Sequence, residues 1–368
     1  MFVIKRAVAL LVIMSMLLSL SACDKKEDYI SQTGIYFDTV VKITLYSTQN
    51  EAVLHNCMKL CRNYEKIFST TDPESELYLL NLAAMTEITG PQGIRKEISR
   101  ELFEVIRCAL YFCDVTDGLY DITVRPVSRL WDFSSGEPCV PEKEEIEAAL
   151  KKVDYRNVST ELVQEYDEKG NLKNRYFVNL KKQGTQLELG SIAKGYIAMQ
   201  IKQYLEDHEM TSGIVSLGGN ILCIGNRSTV EITDTNESKK EKDVPFSIGI
   251  MSPEPGESTV YEKVAGNNNS IVTSGIYQRC FEQDGKLYHH ILDAHTGYPM
   301  DNGLASVTVI SYEGMYADAL STVCFLAGYE KSLDILSEFV NTYAEFVYLD
   351  GHVERSPGFE DFILDDEL

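Results

Sequence analysis

The stretch ELGSIAKGYIAM, at residues 188–199, contains residue types that could bind an anionic ligand. Gly190 and Gly195 flank Lys194 immediately before a run with helical character. The order differs from the phosphate-binding loop GxxxxGK[ST], because Lys194 precedes the second glycine and Tyr196 follows it. A lysine between two glycines still suits an anion, but the stretch alone leaves open whether that anion is a phosphate and what molecule carries it.

A second stretch, ADALST, contains residue types that could bind a metal ion. Asp318 and Thr322 are four residues apart on a predicted helix and therefore share one face. Two oxygen ligands on one face suit a hard cation such as Mg²⁺, which is usually held by one or two carboxylates together with substrate phosphates. From the spacing alone a structural role is the better interpretation, with the Asp near a helix N-terminus and the Thr bonded to a backbone carbonyl.

The stretch HHILDAHTGYPM contains three histidines and Asp293 ahead of a Thr-Gly turn. A histidine can act as a general acid or base near neutral pH. The same pattern is equally typical of a strand that runs into a turn, with a histidine bonded to backbone. His290 is therefore a candidate catalytic residue, with the structural alternative left open.

The elements that must position these residues alternate between strand-like and helix-like patterns. Strand character covers residues 35–46, and a strand, a Gly-Gly turn and a second strand cover 212–225. Apolar periodicity predicts helices at 50–69, 98–117, 143–151, 193–208 and 315–328, and a further helix that starts within 69–81. We predict a hairpin in YFVNLKKQGTQLELG after a DEKGN turn, and a charged solvated loop at 233–243. Runs of strands with inserted helices predict the α+β class, as a single large mixed domain of antiparallel-rich sheets.

The N-terminal residues predict export. Lys5 and Arg6 precede an apolar run over residues 8–20, which is short for a membrane span. Leu20-Ser21-Ala22-Cys23 resembles the bacterial lipobox, in which the cysteine is lipidated; an ordinary signal peptide or an uncleaved anchor is the alternative. We therefore predict a lipoprotein signal peptide at 1–22, lipidated Cys23 with a polar tether at 23–32, and a folded domain at 33–368. The protein would be lipid-anchored on the extracytoplasmic side of the cell membrane.

The charge and the cysteines restrict the partners and the redox chemistry. A formal net charge of −22 repels nucleic acid and anionic headgroups, so we expect no nucleic-acid partner and expect the lipid to hold the protein to the membrane. Eight cysteines follow Cys23. Cys57 and Cys61, four residues apart on a predicted helix, have poor disulfide geometry, and no pair has zinc-site spacing. Buried free thiols are the simplest interpretation, although an oxidising exterior permits disulfides.

These motifs, in this order, resemble the FAD:protein FMN transferase (ApbE-like) family over nearly the whole mature chain. Each motif is weak alone, but their shared order is specific. The matching stretches are Phe37-Asp38-Thr39, Ser75-Glu76 with Leu80-Asn81, Gly118 to Thr123 with Pro126 and Leu130-Trp131, Leu189 to Tyr196, Leu217 to Asn220, Thr273-Ser274-Gly275, His290 to Asp293 with Thr296-Gly297, and Ala317 to Thr322.

The resemblance implies an enzyme whose substrate is FAD and whose cofactor is Mg²⁺. It implies that the anion near Lys194 is the pyrophosphate of FAD. The metal ligands would be the backbone carbonyl of Ser191 and the side chains of Asp318 and Thr322. The catalytic base would be His290 or Asp318. The flavin-binding residues would be Phe37, Asp38, Thr39, Tyr120, Asp121, Ile122, Glu188, Lys194 and His290.

The implied reaction is transfer of FMN from FAD to a threonine hydroxyl of an acceptor flavoprotein, with release of AMP. Acceptors of the family carry a Ser/Thr-Gly-Ala-Thr-like target, and we expect them to be membrane or extracytoplasmic electron-transfer flavoproteins. This chain contains no such target. The alternatives are an Mg²⁺-dependent FAD pyrophosphatase, a non-enzymatic FAD-binding lipoprotein and a solute-binding lipoprotein. The last would require two lobes with crossing linkers, and the sequence shows neither.

Overall fold

The computed structural model of the protein describes residues 29–46, 48–88, 90–133, 138–231, 240–253 and 259–365. Within these ranges the helices are α1 (Glu51–Phe68), α2 (Glu76–Thr86), α3 (Arg100–Val115), α4 (Arg125–Trp131), α5 (Lys143–Leu150), α6 (Ala193–Asp207), α7 (Gly314–Ala327) and α8 (Tyr329–Leu336). The strands are β1 (Tyr29–Tyr36), β2 (Thr39–Tyr46), β3 (Ile94–Ile98), β4 (Val158–Tyr166), β5 (Leu172–Leu180), β6 (Gly213–Leu217), β7 (Asn220–Ile224), β8 (Arg227–Glu231), β9 (Lys240–Val244), β10 (Phe246–Met251), β11 (Val260–Gly266), β12 (Ser270–Gly275), β13 (Cys280–Gln283), β14 (Lys286–His289), β15 (Leu304–Ser311), β16 (Thr342–Tyr348) and β17 (Val353–Arg355).

An eight-stranded sheet organises the fold, with the order β1-β2-β6-β7-β12-β15-β16-β17. Every neighbouring pair in it is antiparallel. All eight residues of β15 are buried, and because side chains alternate between the two faces of a strand, both faces must be covered. Helices α6 and α7 pack on one face, and the β10–β11 hairpin contributes to a second apolar cluster that includes residues of β7, β12 and β15. The predicted α+β domain with antiparallel sheets is confirmed.

Each predicted helix is present in the structure, whereas α4 and α8 were not predicted. Val53, Leu54, Cys57, Met58 and Cys61 are the buried face of α1, as the sequence pattern predicts. Two helix starts are fixed by serine caps: the side chains of Ser75 and Ser99 accept hydrogen bonds from the backbone three residues later, which satisfies N–H groups at the starts of α2 and α3.

The segment at 35–46 is a hairpin rather than one strand. Tyr36 pairs with Thr39, so Phe37 and Asp38 form a two-residue turn between β1 and β2. β1 begins at Tyr29, and residues 29–32 therefore belong to the sheet rather than to the predicted tether at 23–32. The period of two that marks a strand continues across such a turn, which is why the pattern concealed it. The predicted signal peptide and Cys23 lie outside the described residues.

Two further predictions need correction. The hairpin around the DEKGN turn is made by β4 and β5, whereas residues 183–189 of the predicted hairpin form no strand. Of the predicted charged loop at 233–243, residues 240–243 belong to β9, which pairs with β8, and residues 233–239 lie outside the described residues. Highly charged strands resemble loops in composition.

The cysteines after Cys23 are unpaired thiols in the structure. Burial raises the pKa of Cys57 and of Cys61 to about 12, so both are neutral and unreactive at physiological pH. Within the described part of the chain no helix is both long and apolar enough to cross a bilayer.

Candidate active site

A cleft of about 1060 Å³ lies between the helical layer, the main sheet and the β10 strand. Small-molecule sites commonly measure roughly 300–1,000 Å³, so this cleft suits a ligand as large as a dinucleotide. The residues predicted for metal and flavin binding come from five separate segments, and every one of them lines the cleft: Phe37, Asp38, Thr39, Tyr120, Asp121, Ile122, Glu188, Ser191, Lys194, His290, Asp318 and Thr322. Their roles remain predictions.

Asp318 is held where helices α6 and α7 cross. Its side chain is 3% exposed, and its Oδ2 accepts a hydrogen bond of 2.9 Å from the backbone N–H of Gly195. A Cβ on Gly195 would lie 2.2 Å from the carbonyl oxygen of Gly314, so only glycine permits this approach. The close crossing therefore places a carboxylate against the N-terminal turn of α6, where the helix dipole stabilises its charge.

Lys194 is the cation closest to this carboxylate. Its Nζ lies 3.4 Å from Oδ1 of Asp318 and donates a hydrogen bond of 2.6 Å to the carbonyl of Gly190. The side chain is 24% exposed and lines the cleft. One oxygen of this buried carboxylate is fixed by backbone, and the other lies beside a cation. A metal ion could take the place of that cation as the partner of the carboxylate, or bind beside it.

Thr322 lies one turn after Asp318 and takes part in a chain of hydroxyl groups. The Oγ atoms of Ser274 and Thr322 lie 3.2 Å apart, those of Ser274 and Ser321 lie 2.8 Å apart, and Ser321 donates to the carbonyl of Asp318. β12 thus fixes the orientation of the Thr322 hydroxyl. In the sequence Ser274 stands out only as part of the Thr273-Ser274-Gly275 motif, which does not predict this role.

The donor set around Asp318 fits Mg²⁺ in its chemistry. Asp318 and Thr322 offer a carboxylate and a hydroxyl, and Ser191 lies in the turn before α6; all of these donors are oxygens, as Mg²⁺ prefers. Among the described residues no three His, Cys, Asp or Glu side chains converge on a metal site. The predicted set would not form such a group, because it combines one carboxylate with a hydroxyl and a backbone carbonyl.

Tyr120 and Asp121 differ in their availability for a ligand. The hydroxyl of Tyr120 shares a hydrogen bond of 2.8 Å with Oγ of Ser191, which connects the segment before α4 with the turn before α6. Asp121 Oδ1 accepts from the backbone N–H and the hydroxyl of Thr123, and its Oδ2 accepts from the N–H of Tyr155. The Asp121 carboxylate is therefore committed to shaping the loop, although one edge of the residue reaches the cleft.

Glu188 forms an ion pair with an arginine that sequence reasoning missed. Its Oε2 lies 2.8 Å from Nη1 of Arg125, and Nη2 of Arg125 donates to the carbonyl of Thr70. The backbone N–H of Glu188 also donates to the carbonyl of Ile122 at 2.7 Å. These contacts hold three segments of the cleft wall in one arrangement. The resemblance singled out Glu188 but gave no signal for its partner on α4.

The β1–β2 turn reaches the cleft in a strained conformation. Phe37 and Asp38 have φ values of 56° and 55°, as a type I′ turn requires, and this region is costly for a large side chain such as Phe. The N–H of Phe37 donates to Glu65 of α1, which stabilises the turn. Thr39 packs directly against Gly218, where a Cβ would lie 2.0 Å from Oγ1 of Thr39. Such strain often marks a functional turn.

His290 is a neutral histidine at the wall of the cleft. Burial first, and then the positive charge of Arg279, lower the pKa of its imidazole to about 3. Its backbone N–H donates to the carbonyl of Arg279 at 3.1 Å, and its buried Nδ1 has no hydrogen-bond partner within the described part of the chain. The ring is therefore neutral at physiological pH, and its unpartnered Nδ1 is buried.

Similarity to known proteins shows the family of this chain. A family model described as the ApbE family matches residues 37–346. The chain belongs to the ApbE family. A relative named FAD:protein FMN transferase from Treponema pallidum is 30% identical over 335 residues, which cover 90% of this chain and 88% of the relative. A protein of the same name from Klebsiella pneumoniae is 30% identical over 317 residues, which cover 86% and 88%.

Solved structures confirm the ApbE fold. The ApbE protein of Thermotoga maritima matches with a TM-score of 0.74 and 29% identity, covering 92% of this chain and 100% of that structure. The flavin transferase ApbE from Vibrio cholerae matches with a TM-score of 0.71 and 24% identity, covering 91% and 99%, and at that identity it shows the fold alone. The family that the motif order indicates is thus confirmed.

Proposed function

We propose that this ApbE family member catalyses Mg²⁺-dependent transfer of FMN from FAD to a threonine hydroxyl of an acceptor flavoprotein, with release of AMP. The names of its relatives support the reaction. The observation on this chain that carries the proposal is the buried carboxylate of Asp318, which lies beside Lys194 and one turn from Thr322 at a dinucleotide-sized cleft. A protein that only stored flavin would have no need of a buried carboxylate at such a position.

In this proposal Asp318, Thr322 and the carbonyl of Ser191 hold Mg²⁺. When bound, the ion would supply positive charge that offsets the negative charge developing on the leaving AMP phosphate. The chain's own contribution is to fix those ligands. Gly195 anchors one oxygen of Asp318, and Ser274 orients the Thr322 hydroxyl.

The residues around the proposed Mg²⁺ site would bind FAD and accept the proton of the acceptor hydroxyl. Lys194 offsets the pyrophosphate charge within a chain whose net charge is strongly negative. The acceptor hydroxyl attacks the phosphorus on the FMN side, a new oxygen–phosphorus bond forms, and the bond to the AMP phosphate breaks. His290 is the proposed acceptor of the hydroxyl proton, because the family resemblance names it and its neutral ring lines the cleft. Asp318 is the weaker candidate for the base, because its Oδ2 already accepts from Gly195.

The remaining cleft residues would form the flavin site. Tyr120 and Ile122 offer buried apolar surface, and Phe37 offers an aromatic ring at the β1–β2 turn. Asp38, Thr39 and Glu188 add polar groups that fix the orientation of a ligand, as is usual in a largely apolar site. Asp121 would support the flavin site by holding the adjoining loop through its bonds to Thr123 and Tyr155.

The location and the acceptors are also proposals. Lipid on Cys23 would anchor the protein on the extracytoplasmic side of the cell membrane. The acceptors would be electron-transfer flavoproteins with a Ser/Thr-Gly-Ala-Thr-like target, because they share that compartment. A tethered enzyme gains effective concentration toward partners held at the same membrane.

The test uses full-length protein in detergent with FAD, with and without Mg²⁺ and an acceptor domain that carries the target. The matched control is the same domain with its target threonine replaced by valine. AMP release that requires Mg²⁺ and rises with the intact acceptor supports the transferase. AMP together with free FMN, and the same rate with either acceptor, would instead identify a pyrophosphatase; bound FAD without AMP would identify a flavin-storage protein.

A further inference from the structure

Two arginines line the cleft without an acidic partner. Arg129 on α4 and Arg279 between β12 and β13 are both exposed, and neither lies within ion-pair distance of a carboxylate in the described part of the chain. Other arginines, such as Arg125, Arg175 and Arg355, are paired with acids. In a chain with 56 acidic and 34 basic residues, an arginine in a cleft with no acidic partner is available for an anionic ligand.

Arg279 is the one that the backbone ties to His290. Its carbonyl accepts from the N–H of His290 at 3.1 Å, which fixes the two residues opposite each other. The charge of Arg279 also acts on the His290 ring, with smaller contributions from His289 and Lys194. Arg279 is thus bound through its backbone to the histidine that would take the acceptor's proton, and both residues line the cleft.

The loop that presents Arg279 is connected to the proposed metal ligands. Residues 273–279, TSGIYQR, begin in β12, where Ser274 contacts the Thr322 hydroxyl. The N–H of Ile276 donates to Ala305 at 3.0 Å, and the side chain of Gln278 donates to the carbonyl of Thr273 at 2.9 Å, so the loop is fixed at two points before Arg279. One short segment therefore reaches both the metal side and the histidine side of the cleft.

Building on the proposed transfer reaction, we propose that Arg279 donates hydrogen bonds to the non-bridging oxygens of the FMN phosphorus during attack. As the acceptor oxygen bonds to phosphorus and the bond to AMP breaks, negative charge spreads over those oxygens, and the protonated guanidinium offsets it without changing its own protonation. The acceptor proton goes to His290, and AMP leaves with the bonding electrons. Arginines that act this way in phosphoryl transfer contribute about 10³–10⁵ in rate, and the exposed position of Arg279 places it at or below the lower end.

The experiment compares Arg279→Gln and Arg279→Lys with wild type as full-length proteins in detergent. It measures kcat for AMP release, the KM for the acceptor and the Kd for FAD by flavin fluorescence, with Mg²⁺ present. We expect Arg279→Gln to lower kcat by about 10²-fold or more while the Kd for FAD changes only a few-fold, and Arg279→Lys to be intermediate. The thermal midpoint of both variants should stay unchanged. A third variant, Arg279→Ala, should regain part of its activity when guanidinium ion is added well below denaturing concentrations.

Two further variants make the result specific. Arg62→Gln removes an exposed charge from α1 outside the cleft and should match wild type. Arg129→Gln removes a charge from another cleft wall; an equal loss there would show a general field effect and overturn the specific role. A normal kcat in Arg279→Gln, or a change confined to the Kd for FAD or the KM for the acceptor, would also overturn it.

The outcome also separates this role from the proposed function. If wild type cleaves FAD without labelling an acceptor, the transferase fails, but the Arg279 effect on FAD cleavage still tests its role at the same phosphorus. If wild type does neither, both proposals are overturned.

Discussion

Replacing Gly195 with alanine tests the helix crossing that holds Asp318. The added Cβ would lie 2.2 Å from the carbonyl oxygen of Gly314 and 2.7 Å from Cβ of Asp318. Both distances are far inside contact range, so α6 and α7 must separate. An alanine in a helix gains about 1 kcal/mol of propensity over glycine. Overpacking costs about 1–3 kcal/mol, and weakening the hydrogen bond to the Asp318 carboxylate costs about 1.5–3 kcal/mol. We therefore expect a net loss of about 1.5–5 kcal/mol in the free energy of unfolding.

The activity of Gly195→Ala should fall more than its stability suggests. A displacement of about 1 Å at a reactive centre can cost about 10²-fold in rate. Urea unfolding and Mg²⁺-dependent AMP release measure the two effects on the same preparation. Gly90→Ala is the control, because an added Cβ there meets nothing within 4 Å and its φ is not in the left-handed region. A Gly195→Ala protein as stable and as active as wild type would refute the close crossing and its role in positioning Asp318.

Three other predictions address the metal ligand, the pH response and the anchor. Asp318→Asn keeps an acceptor for the N–H of Gly195 but loses the charge, so Mg²⁺-dependent AMP release should fall at least about 10²-fold with the fold retained; unchanged turnover would exclude Asp318 as the ligand. Burial lowers the pKa of His289 to about 4, whereas its pKa in the unfolded chain is near 6.5. Between these two values the unfolded chain binds more protons than the folded protein. This residue therefore makes the free energy of unfolding fall as pH falls, by up to about 1.4 kcal/mol per pH unit. Burial raises the pKa of Glu262 to about 7, so this residue has the opposite effect on stability. The test therefore compares His289→Gln with wild type in urea unfolding at pH 7 and pH 5. Equal pH dependence in both proteins would contradict the role of His289. Cys23→Ser should leave the protein soluble after signal cleavage; continued membrane retention of the cleaved protein, measured by cell fractionation, would argue against lipid anchoring.

The sequence predicted helices such as α1 and α3 well, because their apolar faces repeat with a clear period. It missed the turn at Phe37 and Asp38, because neither residue is the glycine or asparagine that usually marks a type I′ turn. At a turn that faces the ligand, residues that serve the site can occupy positions where glycine or asparagine would avoid strain. Local turn propensity does not predict such residues.

In the candidate site, too, the sequence predicted some features and missed others. Family motifs named twelve residues that all line one cleft. The partners that hold them, such as Arg125 for Glu188 and Ser274 for Thr322, depend on contacts between segments far apart in the chain. Spacing along one helix could indicate that Asp318 and Thr322 share a face, but only the crossing of α6 over α7 shows why Asp318 is fixed.

The most direct test of the central claim is the intact mass of an acceptor flavoprotein after incubation with the full-length protein, FAD and Mg²⁺, with the modified residue located by fragmentation. We expect the mass to increase by one FMN residue on the target threonine, with one AMP released for each labelled acceptor and neither product without Mg²⁺. AMP and free FMN beside an acceptor of unchanged mass would contradict it.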